Sequence, residues 1–505
     1  MIPPRRPRPS VGALLLLALL LPSLAAAKPL WEKKPKPKGL SYGGTVFSTF
    51  SPDLRMEGPY EDKFEWRAGL DFRVAYKIAR NARFQISAKA RYHLRVGDRV
   101  EADFFANLGD SWFQFRHGKI TVRAGIESMK WGQNTLLSPL NVLNPTDYTM
   151  TLGGAGVDDP RIPLPVVRAT LNLSPVAIEA LWIPIFRPQR AAFYGRDFAA
   201  FRPGMLEEAL PGMIPSTPVG AVNSQLTAAG DSLVDALVAL DPYARDGLQS
   251  YLVADLPEEF PWHGDFGARV GYTGRGFDAN GYFLWHVVDR PEVILDDAIR
   301  RPLLQERLPS AAELTALTNP GAELVSSRFE RGITAGADLA VAVGDFVVSA
   351  EGGYFSDTVH FRKTLQAFRS PMVRYAVELR YTLASTFVLT VAADHAIVIR
   401  PAADMLVERQ HTVNALVLAV LRLFRERIQI TLGATYNPIW QDLYVHPRLQ
   451  VTLQDRVKAI FGLQIYEGFR PNPPNTIDGF LSMTGGPLGY FRGNDYAYGM
   501  VEVGF

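Results

Sequence analysis

Between residues 64 and 96 the sequence alternates so strictly that one kind of backbone accounts for it. The stretch reads FEWRAGLDFRVAYKIA, a short turn, then RFQISAKARYHLRV. In the first half Phe64, Trp66, Leu70, Phe72, Val74, Tyr76 and Ile78 share one parity, and Glu65, Arg67, Asp71, Arg73 and Lys77 share the other. In the second, Phe84, Ile86, Ala88, Ala90, Tyr92, Leu94 and Val96 alternate with Arg83, Gln85, Ser87, Lys89, Arg91, His93 and Arg95. A helix would scatter these charges around its circumference, whereas a strand sends them all to one face. Each run is far longer than the usual globular strand of about 5–6 residues. It suits a strand that crosses hydrocarbon in about 9–11 residues and protrudes at both ends.

The same texture recurs to the end of the chain. Tight connections (ARNA, RHGK, LSP, TGRG, AVGD, LAS, FRER, LQDR) alternate with longer ones near 52–61, 98–109, 132–162, 187–262, 290–325, 358–370, 401–406, 438–443 and 468–494. Short turns on one side and long loops on the other are the plan of an outer-membrane barrel, and the number of connections gives about 18 strands, with about 16 as the alternative. The expected fold is therefore all-β, a single antiparallel transmembrane barrel over residues 40–505. Apolar residues make up 47% of the chain, yet beyond the first residues no stretch resembles a membrane helix. A barrel hides its membrane signal in this way, since each strand shows lipid only every second residue. The last strand, NDYAYGMVEVGF, is expected to pair with the first, LSYGGTVFSTFS, because an unpaired edge in lipid costs several kcal/mol. Phe505, a terminal aromatic, looks like the assembly signal that barrel assembly machinery reads.

The chain opens on a basic, proline-rich lead, an apolar run (ALLLLALLLPSLA) and a small-residue site with Ala25 and Ala27. This is the layout of a cleaved secretory signal over residues 1–27. A basic proline-rich tail follows over 28–39. The expected location is the bacterial outer membrane, with its lipid and lipopolysaccharide as partners. Without cysteine there is no disulfide, thiol nucleophile or acyl anchor. A net charge of +2 gives no reason to expect nucleic acid.

Catalytic and metal motifs are missing from the sequence, so neither an enzyme nor a cofactor is expected. The string GDSL at 230–233 lies in a loop and lacks the D-x-H partner that the esterase chemistry needs. Two loops carry helical inserts. Within 187–262, GDSLVDALVALDPYARDGLQSYLVADL offers Asp231 or Ser232 as a cap, and within 290–325 Ser310 and Glu313 have capping-box spacing. The loop 132–162, stiffened by Pro139, Pro145 and Pro160, is expected to fold inward and narrow the pore.

The stretch 125–172 reads GIESMKWGQNTLLSPLNVLNPTDY and later DDPRIPLPVVRATLN. Through Trp131, Gly132, Asn141, Asn144, Pro145, Asp147, Pro163 and Pro165 it resembles a family of proteobacterial outer-membrane β-barrels bearing a domain of unknown function. Members of that family often lie beside genes for degrading hydrocarbons or steroids. The resemblance implies an outer-membrane barrel and raises apolar molecules as a cargo class.

Assigning the polar parity to the lumen lines the pore with Arg67, Arg73, Lys77, Arg83, Lys89, Arg91, Arg95 and Arg123 from early strands, and with Glu351, Glu378 and Asp394 from later ones. One wall is then basic and part of the facing wall acidic, which sets a field across the lumen. Arg83, Lys89, Arg91 and Arg95 form a candidate anion ladder. The function expected from this is passive passage of small polar or anionic solutes. The alternatives are a transport channel for apolar molecules, or a barrel serving surface machinery such as polysaccharide export or motility. A homo-oligomer or a larger envelope complex is compatible with each.

Overall fold

The computed structural model describes residues 39–54, 63–97, 100–147, 160–189, 264–305, 310–317, 325–406, 409–470, 481–482 and 486–505. Its strands are β1 (Leu40–Pro52), β2 (Phe64–Ala79), β3 (Ala82–Val96), β4 (Val100–Leu108), β5 (Ser111–His117), β6 (Ile120–Glu127) and β7 (Leu164–Asn172). They continue with β8 (Val176–Ile183), β9 (Asp265–Thr273), β10 (Phe277–Val287), β11 (Glu292–Leu295), β12 (Val325–Arg328), β13 (Arg331–Val343) and β14 (Phe346–Phe361). The last are β15 (Ala367–Leu383), β16 (Phe387–Val398), β17 (His411–Leu423), β18 (Ile428–Asn437), β19 (Asp442–Gln454), β20 (Val457–Gly468) and β21 (Tyr496–Gly504). Short helices α1 (Asp297–Gln305), α2 (Ala311–Leu317) and α3 (Gly486–Gly489) lie in two long connections. None of the described helices is long and apolar enough to cross a membrane.

Neighbouring wall strands pair antiparallel all the way round, and β21 returns to β1 with Thr45 opposite Gly504 and Phe50 opposite Gly499. Phe505 completes that seam. Its N–H donates to Gly44 O at 3.0 Å, its carbonyl accepts from Gly44 N–H at 3.2 Å, and its ring stacks on Phe72. Both β4 and β5 pair with β3, the register slipping by one residue between them at Gly109–Asp110. They are two pieces of one wall strand. With these counted as one and the separate β11–β12 ribbon set aside, eighteen strands close the barrel.

One expectation is corrected here. Residues 98–109 were expected to be a loop, but Val100–Leu108 is a strand registered on β3. Alternation decides it: Val100, Ala102, Phe104, Ala106 and Leu108 all share the outward parity. The leader, all of the basic tail but Gly39, and residues 190–263 with their GDSL string and expected helices lie outside the described residues. In the second insert the capping box forms, Ser310 N–H donating to Glu313 Oε2 at 2.6 Å and Glu313 N–H to Ser310 Oγ at 3.4 Å.

The two strand faces differ as the parity requires. Outward lie exposed apolar side chains on strand after strand, among them Phe72, Ile86, Phe104, Val270, Leu379 and Phe461. Inward lie many charged and polar groups, some of them buried, such as Arg91, Glu351 and Asp394. The wall is uneven in height. Strands β5 to β9 run 7, 8, 9, 8 and 9 residues, whereas β13 to β16 run 13, 16, 17 and 12. Above Gly109, β4 has no strand on its second edge among the described residues. The chain leaves the low wall at Glu127 and re-enters it at Leu164. The described stretches between, 128–147 and 160–163, turn into the barrel.

Candidate functional site

The inward segment, described over residues 128–147 and 160–163, is seated by apolar contacts on one side and by carboxylates on the other. Met129, Trp131, Leu140 and Leu143 form a buried cluster with the inward-facing Leu164, Val166, Leu181, Ile183, Tyr282 and Leu284 of β7, β8 and β10. Burying side chains of this size stabilises by about 1.5–3 kcal/mol each, so the seat alone fixes the root of the loop. Leu140 reaches further, into a socket made by the cross-strand pair Gly336 and Gly353 of β13 and β14. A Cβ on Gly353 would come within 3.0 Å of Leu140 Cδ2, and one on Gly336 would come nearer still. A glycine inside a strand often marks such a close approach.

Beyond the seat the loop tip crosses to β14 and β15. Glu351 accepts from Asn134 N–H and, at 2.7 Å, from Ser138 Oγ. Glu378 accepts from Thr135 N–H at 2.8 Å, Leu136 N–H at 3.0 Å and Thr135 Oγ1 at 2.6 Å. Both carboxylates are buried. Ser349 Oγ donates to Asn134 Oδ1 at 2.6 Å, and Arg380 caps the cluster from 3.1 Å on Glu378 and 3.0 Å on Thr135. The tip can bend this sharply because Gly132 sits at φ +89°, where a Cβ would also strike Ser138 and the Glu351 carboxylate. Lys130 donates to Asn134 O at 2.6 Å. Burial pushes its ammonium below the usual lysine range, Arg161 and Arg380 adding to that, while Glu351 and Glu378 pull it back.

The loop-motif residues anchor this fold. Trp131 is 2% exposed, and its indole N–H donates to Glu179 at 3.3 Å. Asn144, buried, accepts from Met129 N–H at 2.7 Å and donates to Glu127 O at 3.1 Å and Ile162 O at 2.8 Å. Pro145 O accepts from Ile162 N–H at 2.8 Å, and Asp147 N–H donates to Pro160 O at 2.7 Å. Asn144 thus ties the two ends of the loop together.

On the low wall beside the loop, arginines and glutamates interleave across strands. Arg123 lies 2.9 Å from Glu127, Arg168 is 3.0 Å from Glu127 and 3.4 Å from Glu179, and Arg269 is 3.6 Å from Glu179. With Asp110 and Lys130 they line a cavity of 240 Å³ against Trp131. On the far wall Arg374 lies 2.7 Å from Asp394, which also accepts from Asn414 at 3.0 Å. Sequence reasoning missed Arg168, Arg269, Glu179 and the whole apolar seat. A signal was present: LPVV and ALWI are apolar on both parities, which marks strands covered on both faces.

All the early-strand cations singled out in the sequence lie on the inward face, but their surroundings differ. Arg67 pairs with Glu65, which also holds His93. Arg91 pairs with Asp71 at 2.8 Å and lies over the Phe47 ring. Arg91 and Arg95 are buried. Arg83 bonds Gln114 at 2.9 Å and rests on Trp112. The four ladder residues therefore do not form one exposed row: Arg91 and Arg95 are packed away, while Arg83 and Lys89 face open space. Beside them the inner face turns aromatic, with Tyr444 against Tyr466 and His446 accepting or donating at 2.8 Å to Tyr498 Oη. Among the described residues no group of three or more His, Asp or Glu could hold a metal ion.

No curated protein matches the chain. Solved structures do. OccAB3 of Acinetobacter baumannii is 8% identical, with TM-score 0.46 over 93% of this chain and 100% of that one. The outer membrane channel DcaP of Acinetobacter baumannii is 9% identical, with TM-score 0.39 over 94% and 99%. OprB of Pseudomonas putida, in its low-pH structure, is 9% identical with TM-score 0.36 over 93% of each chain. Residues 89–389, which include the inward loop, its seat and both anchoring carboxylates, match the model of the family described as Protein of unknown function (DUF1302), and the chain belongs to that family.

Proposed function

We propose that the protein is a bacterial outer-membrane channel for passive, water-filled passage of small polar solutes, anions favoured, with the inward segment at residues 128–147 setting its narrowest section. The observation that carries this reading is the path of that segment. It runs from a hydrophobic seat on β7–β10 to Glu351 and Glu378 on the far wall, in a lumen whose other walls carry charged and aromatic side chains. The apolar outer face supports the membrane setting, because soluble proteins rarely expose apolar patches beyond a few hundred Å². Purified protein in planar bilayers tests the proposal. Stable open conductance with a reversal potential on the anion side in a salt gradient is the expected result. A silent barrel overturns it.

A second reading, a conduit for apolar molecules, draws on the β4 edge. Above Gly109 that edge faces no described strand, and Val100, Phe104 and Leu108 are exposed on its outward side. A barrel silent to ions that speeds uptake of an alkane or a sterol into cells would favour this reading.

A further inference from the structure

The lumen cations fall into two sets. One set is matched by carboxylates: Arg67 by Glu65, Arg91 by Asp71, Arg123 by Glu127, Arg374 by Asp394 and Arg380 by Glu378. Toward the end that carries the short turns, Arg73, Lys77, Arg80, Arg83, Lys89 and Arg116 form no ion pair with any described residue. They come from β2, β3, β5 and the turn between β2 and β3. The register sets Arg73 opposite Ser87, Lys77 opposite Arg83, and Arg83 opposite Gln114.

Two neighbouring cavities take up these side chains. One, of 810 Å³, is lined by Arg73, Ser87 and Lys89. Of the three acidic side chains that line it, Asp71 is held by Arg91 and Glu502 by Lys458 at 2.7 Å, and Asp455 stands on the turn across the cavity. The other, of 520 Å³, is lined by Lys77, Arg80, Arg83 and Arg116 and by no carboxylate. Like charges directly opposite on paired strands destabilise a sheet, so the pairing of Lys77 with Arg83 does nothing for the fold. Bound anions would remove that repulsion.

We propose that this turn-end chamber binds multivalent oxyanions, solutes bearing two or more carboxylate or phosphate groups. Its place in transport rests on the channel reading; the binding itself does not. Spacing argues for multivalency. Same-face neighbours along a strand stand about 6.8 Å apart and facing residues about 5 Å, so one small polyanion reaches two or three cations together. A single exposed cation holds an anion weakly, and a lone carboxylate gains little here. Guanidinium groups add bidentate contacts to carboxylate or phosphate. Trp112 keeps one of them in place, with Arg83 resting 5.1 Å from its ring centroid.

Calorimetry on the refolded full barrel in detergent tests the site, with citrate, inorganic pyrophosphate and acetate as separate probes. At about 0.01 M ionic strength, where the Debye length is about 30 Å, citrate or pyrophosphate should bind at least about tenfold tighter than acetate. Citrate alone binding would assign the site to carboxylates, and pyrophosphate alone to phosphates. The double variant Arg73→Gln/Lys89→Gln should lose about tenfold in that affinity, whereas Arg400→Gln, exposed in the connection after β16, should change it less than about twofold. Equal binding of acetate and citrate, or equal loss in both variants, overturns the site and leaves only diffuse charge. Bilayer conductance on the same samples separates the two proposals. Tight binding to a silent barrel overturns the channel and keeps the site, and an open channel that binds neither polyanion does the reverse.

Discussion

Glu378 is the residue on which the loop tip depends most. Its two oxygens take two backbone N–H groups and one hydroxyl from Thr135 and Leu136, and a buried donor left without an acceptor costs about 1–3 kcal/mol. Glu378→Ala should therefore free the tip while Trp131 and Leu140 keep the root seated. The expected outcome is an assembled barrel with higher and noisier single-channel conductance; Glu378→Gln, which keeps an acceptor, should lie between. Unchanged conductance in Glu378→Ala would mean that the tip does not bound the ion path. Gly132→Ala makes the complementary case. Here φ +89° and the nearby Glu351 carboxylate oppose any side chain, so the change should displace the tip and loosen the same latch, read as faster proteolysis within residues 128–147. A loop as resistant as the parent would refute that geometry. Neither role could be read from the sequence. Glu378 shares its parity with Arg374 and Arg380, and nothing local says that its partners lie more than two hundred residues earlier.

At the scale of the strand, legibility reverses. Alternation and turn chemistry write each wall strand locally, so residue parity in β2 and β3 already separates Phe72 and Ile86 from Arg73 and Lys89. Ile86 is 52% exposed on the outward face, while the next residue, Ser87, lines the inner cavity with Arg73 and Lys89. Arginine at a lipid-facing midplane position costs about 2–4 kcal/mol, and lumen positions tolerate it. Ile86→Arg should thus lower refolding stability in lipid vesicles by that amount and Ser87→Arg by much less. The reverse order would invert the facing of the whole sheet. What the alternation left unread is the inner face of β7 to β10. Leu164, Val166, Leu181 and Ile183 sit on the parity that carries Arg168 and Glu179, because this part of the lumen is filled by protein and not by water. The same cause explains Gly336 and Gly353, whose missing side chains make sense only once Leu140 is set between them. Strand β4 was legible in Val100, Ala102, Phe104, Ala106 and Leu108, but its acidic residues and the slip at Gly109 made it read as a loop.

Over the whole molecule, lumen charge is distributed unevenly. The lumen cations of β2, β3 and β5 that have no carboxylate partner gather toward the turn end of the barrel. A pore with one basic mouth should rectify. When anions are driven in through that mouth, cations arriving from the other side are held back by it, so salt accumulates in the lumen and current rises. With the opposite polarity both ions are depleted and current falls. In barrels inserted with one orientation, current at low ionic strength should therefore be larger when anions move from the turn end toward the loop end. The effect needs fields that reach across the mouth, and the Debye length shrinks from about 30 Å at 0.01 M to about 3 Å at 1 M. The current–voltage curve should accordingly become straight in concentrated salt. Replacing Arg73, Lys77 and Lys89 together with glutamine should straighten it at low salt as well. Those side chains lie on one inward face and are absent from the seat and the latch, so the variant should keep its loop and its open-state conductance in concentrated salt. A parent barrel with a straight curve at low salt would place the turn-end cations away from the permeation path, whatever anions they bind.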